Sequence, residues 1–219
     1  MYRSYRLLLG EKLWAELCAL APARRRPTRS LLLRQGDPGT HVLVIVSGSA
    51  AITRRDSRGM RSLLAVRGAG ELLGELAVLD GGVRSATVIA AEPCTVHTIP
   101  TPAFERFVAE HGLLPVLLRH AVSRIREGEE IRQELATAPV PVRLASALLR
   151  LAASAQAGNA GLVVIRLTQE ELAQLIGASR NSVVQALAPW RAQGWVRASA
   201  GGGLVVADTG PLLRVTEEI

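Results

Sequence analysis

Aromatic residues and cysteines are scarce in this chain of 219 residues. Only seven residues are Phe, Trp or Tyr, which argues against bases stacking on an aromatic platform, as in proteins that bind single strands. The two cysteines, Cys18 and Cys94, are too few for an iron–sulfur cluster or a cysteine zinc site, and they suggest no disulfide framework. We therefore expect two isolated core thiols, a reducing compartment and no metal site.

Long apolar segments and catalytic motifs are also missing. No stretch approaches the ~20 apolar residues that a membrane-spanning helix needs, and the few leucines after Arg3 and Arg6 do not make a signal peptide. The sequence shows no nucleophile–base pair with an orienting group, no metal-ligand spacing and no phosphate-loop or dinucleotide fingerprint. We expect a cytoplasmic protein that is not an enzyme, with no catalytic residue and no membrane partner.

Lysine is nearly absent, although the chain is strongly basic. Of 26 basic residues only Lys12 is a lysine, and the formal net charge is +7. A basic balance favours a polyanionic partner, with nucleic acid first. A genome-wide preference for arginine would produce the same charge without any such partner, so the charge alone does not identify one.

Short apolar runs between turn signals fill the first half of the chain. Over residues 30–99 such runs alternate with turns such as Gly36-Asp37-Pro38-Gly39, which predicts an antiparallel sandwich or roll. Helical spacing predicts a helix over residues 10–21 before it. A short helix over 102–111, with Thr101 as its cap, is expected to follow the last strand.

Two short motifs in this region carry the chemistry that a sugar phosphate needs. Gly-Glu-Leu stands at 74–76 and Arg-Ser-Ala at 84–86. A glycine lets the backbone approach a ligand, the carboxylate of Glu75 can accept bonds from a diol, and Arg84 can grip a phosphate. In the competing interpretation the turn is kept for folding, and Arg84 pairs with Glu75 or Asp80. The predicted effector-binding residues of this stretch are Gly74, Glu75, Leu76, Arg84, Ser85 and Ala86.

Residues 113–137 predict one long helix whose apolar positions suit a dimer seam. Gly128 within the helix, at a cost of ~1 kcal/mol against alanine, and Arg132 at a seam position weaken this pattern. The alternative is a helix buried within a monomer. Pro139 and Pro141 end the helix and mark a hinge. The residues near heptad a and d positions are Leu114, Leu118, Ala121, Ile125 and Leu135.

Residues 168–193 predict a helix–turn–helix. Thr168 and Glu171 form a capping box, Gly177 makes the turn and Ser179 caps the second helix. The N-terminal end of such a helix enters a major groove, where arginine reads guanine, and asparagine and glutamine read adenine. A helical module that binds protein and not DNA is the alternative. The predicted DNA-binding residues are Thr168, Ser179, Arg180, Asn181, Ser182 and Gln185.

A β-hairpin is predicted after these helices. Two short apolar runs, residues 195–199 and 204–206, flank a glycine turn at Gly201-Gly202-Gly203. This hairpin would form a wing beside the helix–turn–helix. Trp190 and Trp195 lie on apolar faces, so we expect both in the core and not stacked on bases.

Together these segments resemble the CRP/FNR family of bacterial transcription regulators. The paired motifs at 74–76 and 84–86 are similar to the phosphate-binding cassette of cyclic-nucleotide-binding domains. The resemblance implies an α+β fold: an N-terminal antiparallel β-roll over 1–112 as sensor, a dimerisation helix over 113–138, and a C-terminal winged helix–turn–helix over 139–219. It further implies that Glu75 binds the ribose 2′-hydroxyl, and that Arg84 and Ser85 bind the cyclic phosphate.

The same resemblance implies partners. They are a double-stranded DNA operator with two-fold symmetry, a second copy of the chain, and a small effector such as the cyclic nucleotides cAMP or cGMP, with RNA polymerase allowed as a further partner. The main hypothesis is therefore an effector-gated, DNA-binding homodimer. The other is a DNA-binding regulator whose roll binds no nucleotide and is controlled by another ligand or by abundance.

Two departures from the family pattern affect specificity. Where cAMP-binding members offer Thr-Ser to the adenine, alignment of the helix after the hinge places Gly128 and Glu129, and Glu129 could accept from a guanine edge or an exocyclic amine. In the recognition helix, the frequent Arg-Glu-Thr-x-x-x-Arg stands as Arg180-Asn181-Ser182 with Gln185. We therefore expect a different operator.

Overall fold

Two compact units make up the chain: residues 1–61 with 67–130, and residues 62–66 with 131–219. The computed structural model describes residues 4–154, 163–199 and 202–217. Within these three ranges, no helix is both long enough and apolar enough to span a bilayer.

An antiparallel β-roll forms in the N-terminal half of the chain, as predicted. Its strands make two four-stranded sheets, with orders β1-β8-β3-β6 and β2-β7-β4-β5. The longest pairing joins β3 to β8, from His41 opposite Pro100 to Ser47 opposite Thr95. The strands are β1 (Ala23–Arg26), β2 (Leu31–Leu33), β3 (His41–Ser47), β4 (Ala50–Arg55), β5 (Arg61–Arg67), β6 (Leu72–Leu73), β7 (Thr87–Ala90) and β8 (Cys94–Pro100).

Strand β3 lies between two apolar clusters. Successive side chains of a strand point to opposite faces. Accordingly, Val42 and Val44 pack into a cluster with helical residues such as Trp14 and Phe104, while Leu43 and Ile45 pack into the cluster between the sheets. Both faces of β3 are therefore buried, which explains its continuous apolar run. The second cluster includes Cys94, which is buried and free, whereas Cys18 is free and half-buried.

Four helices complete this part of the chain: α1 (Tyr5–Ala19), α2 (Glu75–Leu79), α3 (Thr101–Glu110) and α4 (Leu114–Thr137). The helix predicted over residues 10–21 is present as the second part of α1, which follows Gly10 and ends at Ala19. The part before it was not predicted: it begins at Tyr5, where the Ser4 side chain caps it, and the non-helical Gly10, with φ of +76°, separates the two parts. The predicted Thr101 cap was wrong, because its hydroxyl donates to the carbonyl of Gly39 at 2.8 Å and Pro100 occupies the N-cap without a side-chain bond.

Helix α4 leaves most of its predicted seam in solvent: of the five predicted residues only Ala121 is half-buried, and Val122, which was not predicted, is exposed. Leu118 and Ile125 are 54% and 61% exposed, and Leu114 and Val122 are exposed on the same face. Among the residues of α4 only Leu117 and His120 are buried. The chain therefore presents an apolar stripe along this helix, and the alternative of a helix buried within a monomer does not hold.

The second unit contains the predicted helix–turn–helix and wing. Its three-stranded sheet has the order β10-β11-β9, and β10 pairs with β11 from Val196 opposite Val206 to Ala198 opposite Leu204. Gly202 and Gly203 both have positive φ in the hairpin turn, while Gly201 lies outside the described residues. The elements are α5 (Val140–Ser154), β9 (Val163–Ile165), α6 (Gln169–Leu175), α7 (Arg180–Ala192), β10 (Val196–Ala198), β11 (Leu204–Val206) and α8 (Gly210–Glu217).

Two features of this unit were not predicted. Helix α5 begins at Val140 and includes Pro141, because proline is tolerated in the first turn, where its missing N–H has no helical partner. Helix α8 packs on α5 and buries Leu212 completely. As expected, Trp190 is buried in the core, with its ring centroid 6.5 Å from that of the half-buried Trp195.

Candidate effector cavity and DNA-binding face

The first cassette motif requires glycine at position 74. Gly74 is the N-cap of α2 and has φ of +84°, in the left-handed region that glycine tolerates best. A Cβ atom at this position would lie 2.6 Å from Nη1 of Arg84. Glycine therefore provides both the backbone conformation and the space in which the arginine of the second motif fits.

Arg84 is buried and held by main-chain groups. Its Nη1 donates to the carbonyl of Gly74 at 2.6 Å, and its Nη2 donates to the carbonyl of His41. Its own amide donates to the carbonyl of Asp37 at 2.8 Å. Burial lowers the pKa of its guanidinium, with the Glu75 carboxylate acting in the opposite direction. Among the described residues Arg84 forms no ion pair with Glu75 or Asp80, so that part of the competing interpretation is wrong.

Glu75, the first residue of α2, is also buried. The phenolic hydroxyl of Tyr5 donates to its Oε1 at 3.3 Å. Burial raises the pKa of the Glu75 carboxyl to about 7, against the opposing effect of hydrogen bonds and of nearby arginines. Near neutral pH this carboxyl is therefore partly protonated. The protonated form can donate a hydrogen bond, whereas the ionised form can only accept.

The structure brings the six cassette residues together around one cavity of about 180 Å³. Ser85 and Leu76 are exposed at it, whereas Glu75 and Arg84 are buried in its wall. Its other walls are apolar except for one arginine from α4. The lining residues are Gly74, Glu75, Leu76, Arg84, Ser85 and Ala86, with Leu33, Ile52, Leu73, Ala77, Val88 and Arg124.

The residue that α4 contributes to this cavity is Arg124, which sequence reasoning missed. Gly128 and Glu129, the predicted contacts from α4, are exposed and do not line the cavity. Arg124 lies one helical turn before Gly128, on the same face, because residues four apart are neighbours on a helix. That spacing is the signal by which it could have been found.

A buried polar network connects this part of α4 to the cassette. Arg124 Nη2 donates to Oε2 of Glu71 at 3.1 Å, and His120 Nε2 lies 3.8 Å from the same oxygen. The rings of His120 and Tyr5 stack with centroids 3.6 Å apart, and Tyr5 donates to Glu75. Burial lowers the pKa of His120 to about 4, so the ring is neutral at pH 7. The network therefore links α4, α1 and α2 beneath the cavity.

The helix–turn–helix has the predicted caps. Thr168 Oγ1 accepts from the amide of Glu171 at 3.1 Å, and Glu171 Oε2 accepts from the amide of Thr168 at 2.8 Å. Ser179 Oγ accepts from the amide of Ser182 at 3.0 Å. Gly177 has φ of +58°, as the turn requires. These local contacts fix where α6 and α7 begin.

The first turns of α7 present polar side chains to solvent. Arg180, Asn181 and Gln185 are exposed, and Ser182 is half-buried beside Ser179. The opposite face packs into the core through the buried residues Val183, Ala186, Leu187 and Trp190. The exposed groups offer a guanidinium and two amides, which are the groups that read base edges in a major groove.

Comparison with known proteins agrees with this arrangement. The family model for the cyclic nucleotide-binding domain matches residues 23–111, and that for the Crp-like helix-turn-helix domain matches residues 142–215. A CRP-like cAMP-activated global transcriptional regulator of Mycobacterium tuberculosis is 33% identical over 191 residues, which are 86% of this chain and 85% of that one.

Solved structures share the fold. FixK2 of Bradyrhizobium japonicum superposes with a TM-score of 0.75 at 18% identity, covering 89% of this chain and 96% of that one. The c-di-GMP responsive global regulator CLP of Xanthomonas campestris superposes with a TM-score of 0.67 at 24% identity, covering 90% and 98%. Both family models, and a relative one-third identical over most of either chain, confirm the predicted family and fold. The chain belongs to the CRP/FNR family of DNA-binding transcription regulators.

Proposed function

We propose that this chain acts as a homodimer on a two-fold DNA operator and is gated by a small effector bound in the β-roll. One observation carries the proposal: α4 supplies Arg124 to the cassette cavity and also exposes an apolar stripe. A ligand in the cavity would therefore contact the helix through which two copies associate. The effector site consists of the six cassette residues and Arg124.

The stripe on α4 supports a homodimer. Leu114, Leu118, Val122 and Ile125 follow each other at intervals of three or four residues and are all exposed. Apolar side chains at this spacing pair in coiled coils, where each helix covers the stripe of the other. A two-fold dimer presents two copies of α7, so its operator should have two related half-sites about one helical turn apart.

The partners follow from this arrangement. Double-stranded DNA is proposed to contact the N-terminal ends of α6 and α7, through Thr168, Ser179, Arg180, Asn181, Ser182 and Gln185. The relatives are transcription regulators. We therefore propose RNA polymerase as a further partner and the cytoplasm as the compartment. We assign no catalytic activity to the chain.

A cyclic nucleotide is the effector class that the cavity supports best. The relative from Mycobacterium tuberculosis is named for activation by cAMP, and the regulator from Xanthomonas campestris responds to c-di-GMP. In this chain Ser85 and Arg84 line a cavity whose wall also holds the Glu75 carboxyl, a combination suited to a phosphate next to a hydroxyl. cAMP and cGMP are therefore the first candidates.

A second candidate is a regulator whose roll binds no nucleotide. The observation that favours it is that Arg84 already donates to two carbonyls and Glu75 already accepts from Tyr5. The polar groups of the cassette are thus bonded within the protein, as in a turn kept for folding. DNA binding would then respond to another ligand or to abundance.

Two measurements on the full-length protein distinguish these candidates. Calorimetric titration with cAMP, cGMP and c-di-GMP tests the effector, and selection of bound duplexes from a random library tests the operator. Heat from one nucleotide, together with tighter binding of the selected duplex in its presence, supports gating. Selection of a two-fold sequence without heat from any nucleotide supports the second candidate. Enrichment of no sequence contradicts both.

A further inference from the structure

Arg143, in the first turn of α5, stands where its own helix does not favour a cation. The N-terminus of a helix carries a partial positive charge, so a guanidinium there gains nothing from the helix dipole. No acidic residue in the first turn of α5 offsets this charge. Among the described residues, Arg143 also takes part in none of the ion pairs. The reason for this arginine therefore lies outside α5.

The guanidinium of Arg143 reaches the C-terminal end of α6. Its Nη1 donates to the carbonyl oxygens of Ile176, at 2.9 Å, and Gly177, at 3.3 Å. Carbonyls at the end of a helix have no partner within it, and the end carries a partial negative charge. α6 has no basic residue in its own last turn. Arg143 thus supplies from a neighbouring helix the cation that α6 lacks.

The segment held by Arg143 is the turn between α6 and α7. Gly177 is left-handed, and the amide of Ala178 donates back to the carbonyl of Ala173 at 3.0 Å. Cδ2 of Leu135, near the end of α4, lies 3.6 Å from where a Cβ on Gly177 would stand, and Nη1 of Arg143 lies 3.7 Å from it. Hydrogen bonds from α5 therefore hold this turn, and the Leu135 side chain of α4 lies beside it.

We infer that Arg143 is a positioning residue for DNA recognition: it fixes the turn and, through the turn, the orientation of α7. The inference rests on the proposed docking of α7 in a major groove. Base-edge contacts need α7 in one orientation, whereas binding to unrelated DNA depends mainly on charge. Loss of the two bonds should therefore reduce operator affinity much more than affinity for other sequences.

The test compares full-length wild type with Arg143→Gln and Arg143→Lys by fluorescence anisotropy. The probes are the duplex selected by wild type and a scrambled duplex, each titrated at several salt concentrations. For Arg143→Gln we expect about a tenfold loss on the selected duplex, or about 1.4 kcal/mol, less than about a twofold change on the scrambled one, and an unchanged salt slope. Arg143→Lys, which keeps a donor and the charge, should lose less. Arg214→Ala, an exposed arginine of α8, is the matched control for charge.

Two outcomes contradict the inference. Equal losses on both duplexes, with a salt slope smaller by about one, would make Arg143 a phosphate contact. Unchanged affinities for both duplexes would show that the turn keeps its position without Arg143.

Amide hydrogen exchange of Arg143→Lys is a second measurement. It needs no DNA, and it remains informative if Arg143→Gln does not fold. Faster exchange confined to residues 174–178 supports a role in fixing the turn. Faster exchange throughout the second unit would overturn it, because Arg143 would then contribute only general stability. If wild type enriches no duplex, the proposed function fails, yet this measurement still decides what Arg143 does.

Discussion

Glu75 is a buried carboxyl that ionises near neutral pH. Burial raises its pKa from the ordinary 4.5 to about 7, and the Tyr5 hydrogen bond opposes this shift only in part. As pH rises, the unfolded chain releases this proton before the folded chain does. The folded state is therefore destabilised progressively between about pH 4.5 and pH 7, and the loss is complete above that range.

Replacement of Glu75 by glutamine should remove this loss. Between pH 5 and pH 8 the wild type should lose on the order of 2 kcal/mol of unfolding free energy relative to Glu75→Gln. Thermal unfolding across this range measures the difference, and the exposed Glu105→Gln is the matched control. Parallel pH profiles for wild type and Glu75→Gln would show that this carboxyl ionises normally in the folded protein.

His120 shifts stability in the opposite direction. Burial lowers its pKa from 6.5 to about 4, so the unfolded chain takes up a proton first as pH falls. This contribution is complete above about pH 6.5 and is lost as the pH falls to about 4. Glu75→Gln should therefore still lose stability as the pH falls from about 6.5 to about 4, because His120 is unchanged. It should no longer lose stability as the pH rises towards 7.

Variants of Arg84 and Ser85 distinguish an effect on ligand binding from an effect on stability. Arg84→Gln should abolish nucleotide binding and also lower the melting temperature, because the bonds to Gly74 and His41 disappear. Ser85 is exposed, so Ser85→Ala should leave the melting temperature unchanged while it weakens nucleotide binding by about fivefold to tenfold, the value of one hydrogen bond. Calorimetry and thermal melts on the same samples make the comparison. A Ser85→Ala protein with undiminished affinity for the bound nucleotide would contradict this assignment of the phosphate site.

At the scale of elements, α4 exposes a stripe of apolar side chains along one face. Leu117 and His120 face the roll, while the stripe that includes Leu118 and Ile125 faces solvent. We therefore propose that one face of this helix contacts the cavity and that the other mediates association between two copies.

The double variant Leu118→Glu/Ile125→Glu should be monomeric at concentrations where wild type is a dimer. Two carboxylates on each stripe would be desolvated and would repel those of the second copy. Sedimentation velocity measures the change, and Arg119→Glu, which alters an exposed residue off the stripe, is the control. A wild type that sediments as a monomer would refute dimerisation through α4.

Helix boundaries show where sequence reasoning succeeds at this scale. The starts of α6 and α7 were predicted correctly, since their caps bond to residues three positions away. The start of α3 was not, because Thr101 bonds to Gly39, a partner 62 residues distant. Local hydrogen bonds leave a pattern in the sequence, whereas a competing tertiary partner does not.

At the scale of the whole molecule, we expect recognition of an operator to depend on Arg180. It is exposed at the N-terminal end of α7, and its fork can bond O6 and N7 of guanine together, a discrimination of ~1–3 kcal/mol. Arg180→Ala should therefore relax the base preference at one position per half-site and keep most of the salt-dependent affinity. Selection from random duplexes, run in parallel on both proteins, measures this, and identical preferences would mean that Arg180 only contacts phosphate or structure.

The sequence by itself determined the order of the roll, the long helix, the helix–turn–helix and the wing, together with the family and the cassette. Gly74, Glu75, Arg84 and Ser85 meet at one cavity as their motif predicted, because the motif is compact and its two arms flank a single short helix. The apolar stripe of α4 could also be predicted, because the face on which a helical residue lies depends only on its spacing along the sequence.

Tertiary structure alone decided what surrounds these motifs. Tyr5 reaches Glu75 across 70 residues of sequence, Arg124 rather than Glu129 lines the cavity, and Arg143 holds the turn that ends α6. Neither Tyr5 nor Arg143 belongs to a periodic pattern or a motif, and the helical spacing of Arg124 shows only which face of α4 it shares with Gly128. Their roles follow from which chain segments pack together, and long-range packing of this kind sets burial, pKa and hydrogen-bond partners only once the whole chain has folded.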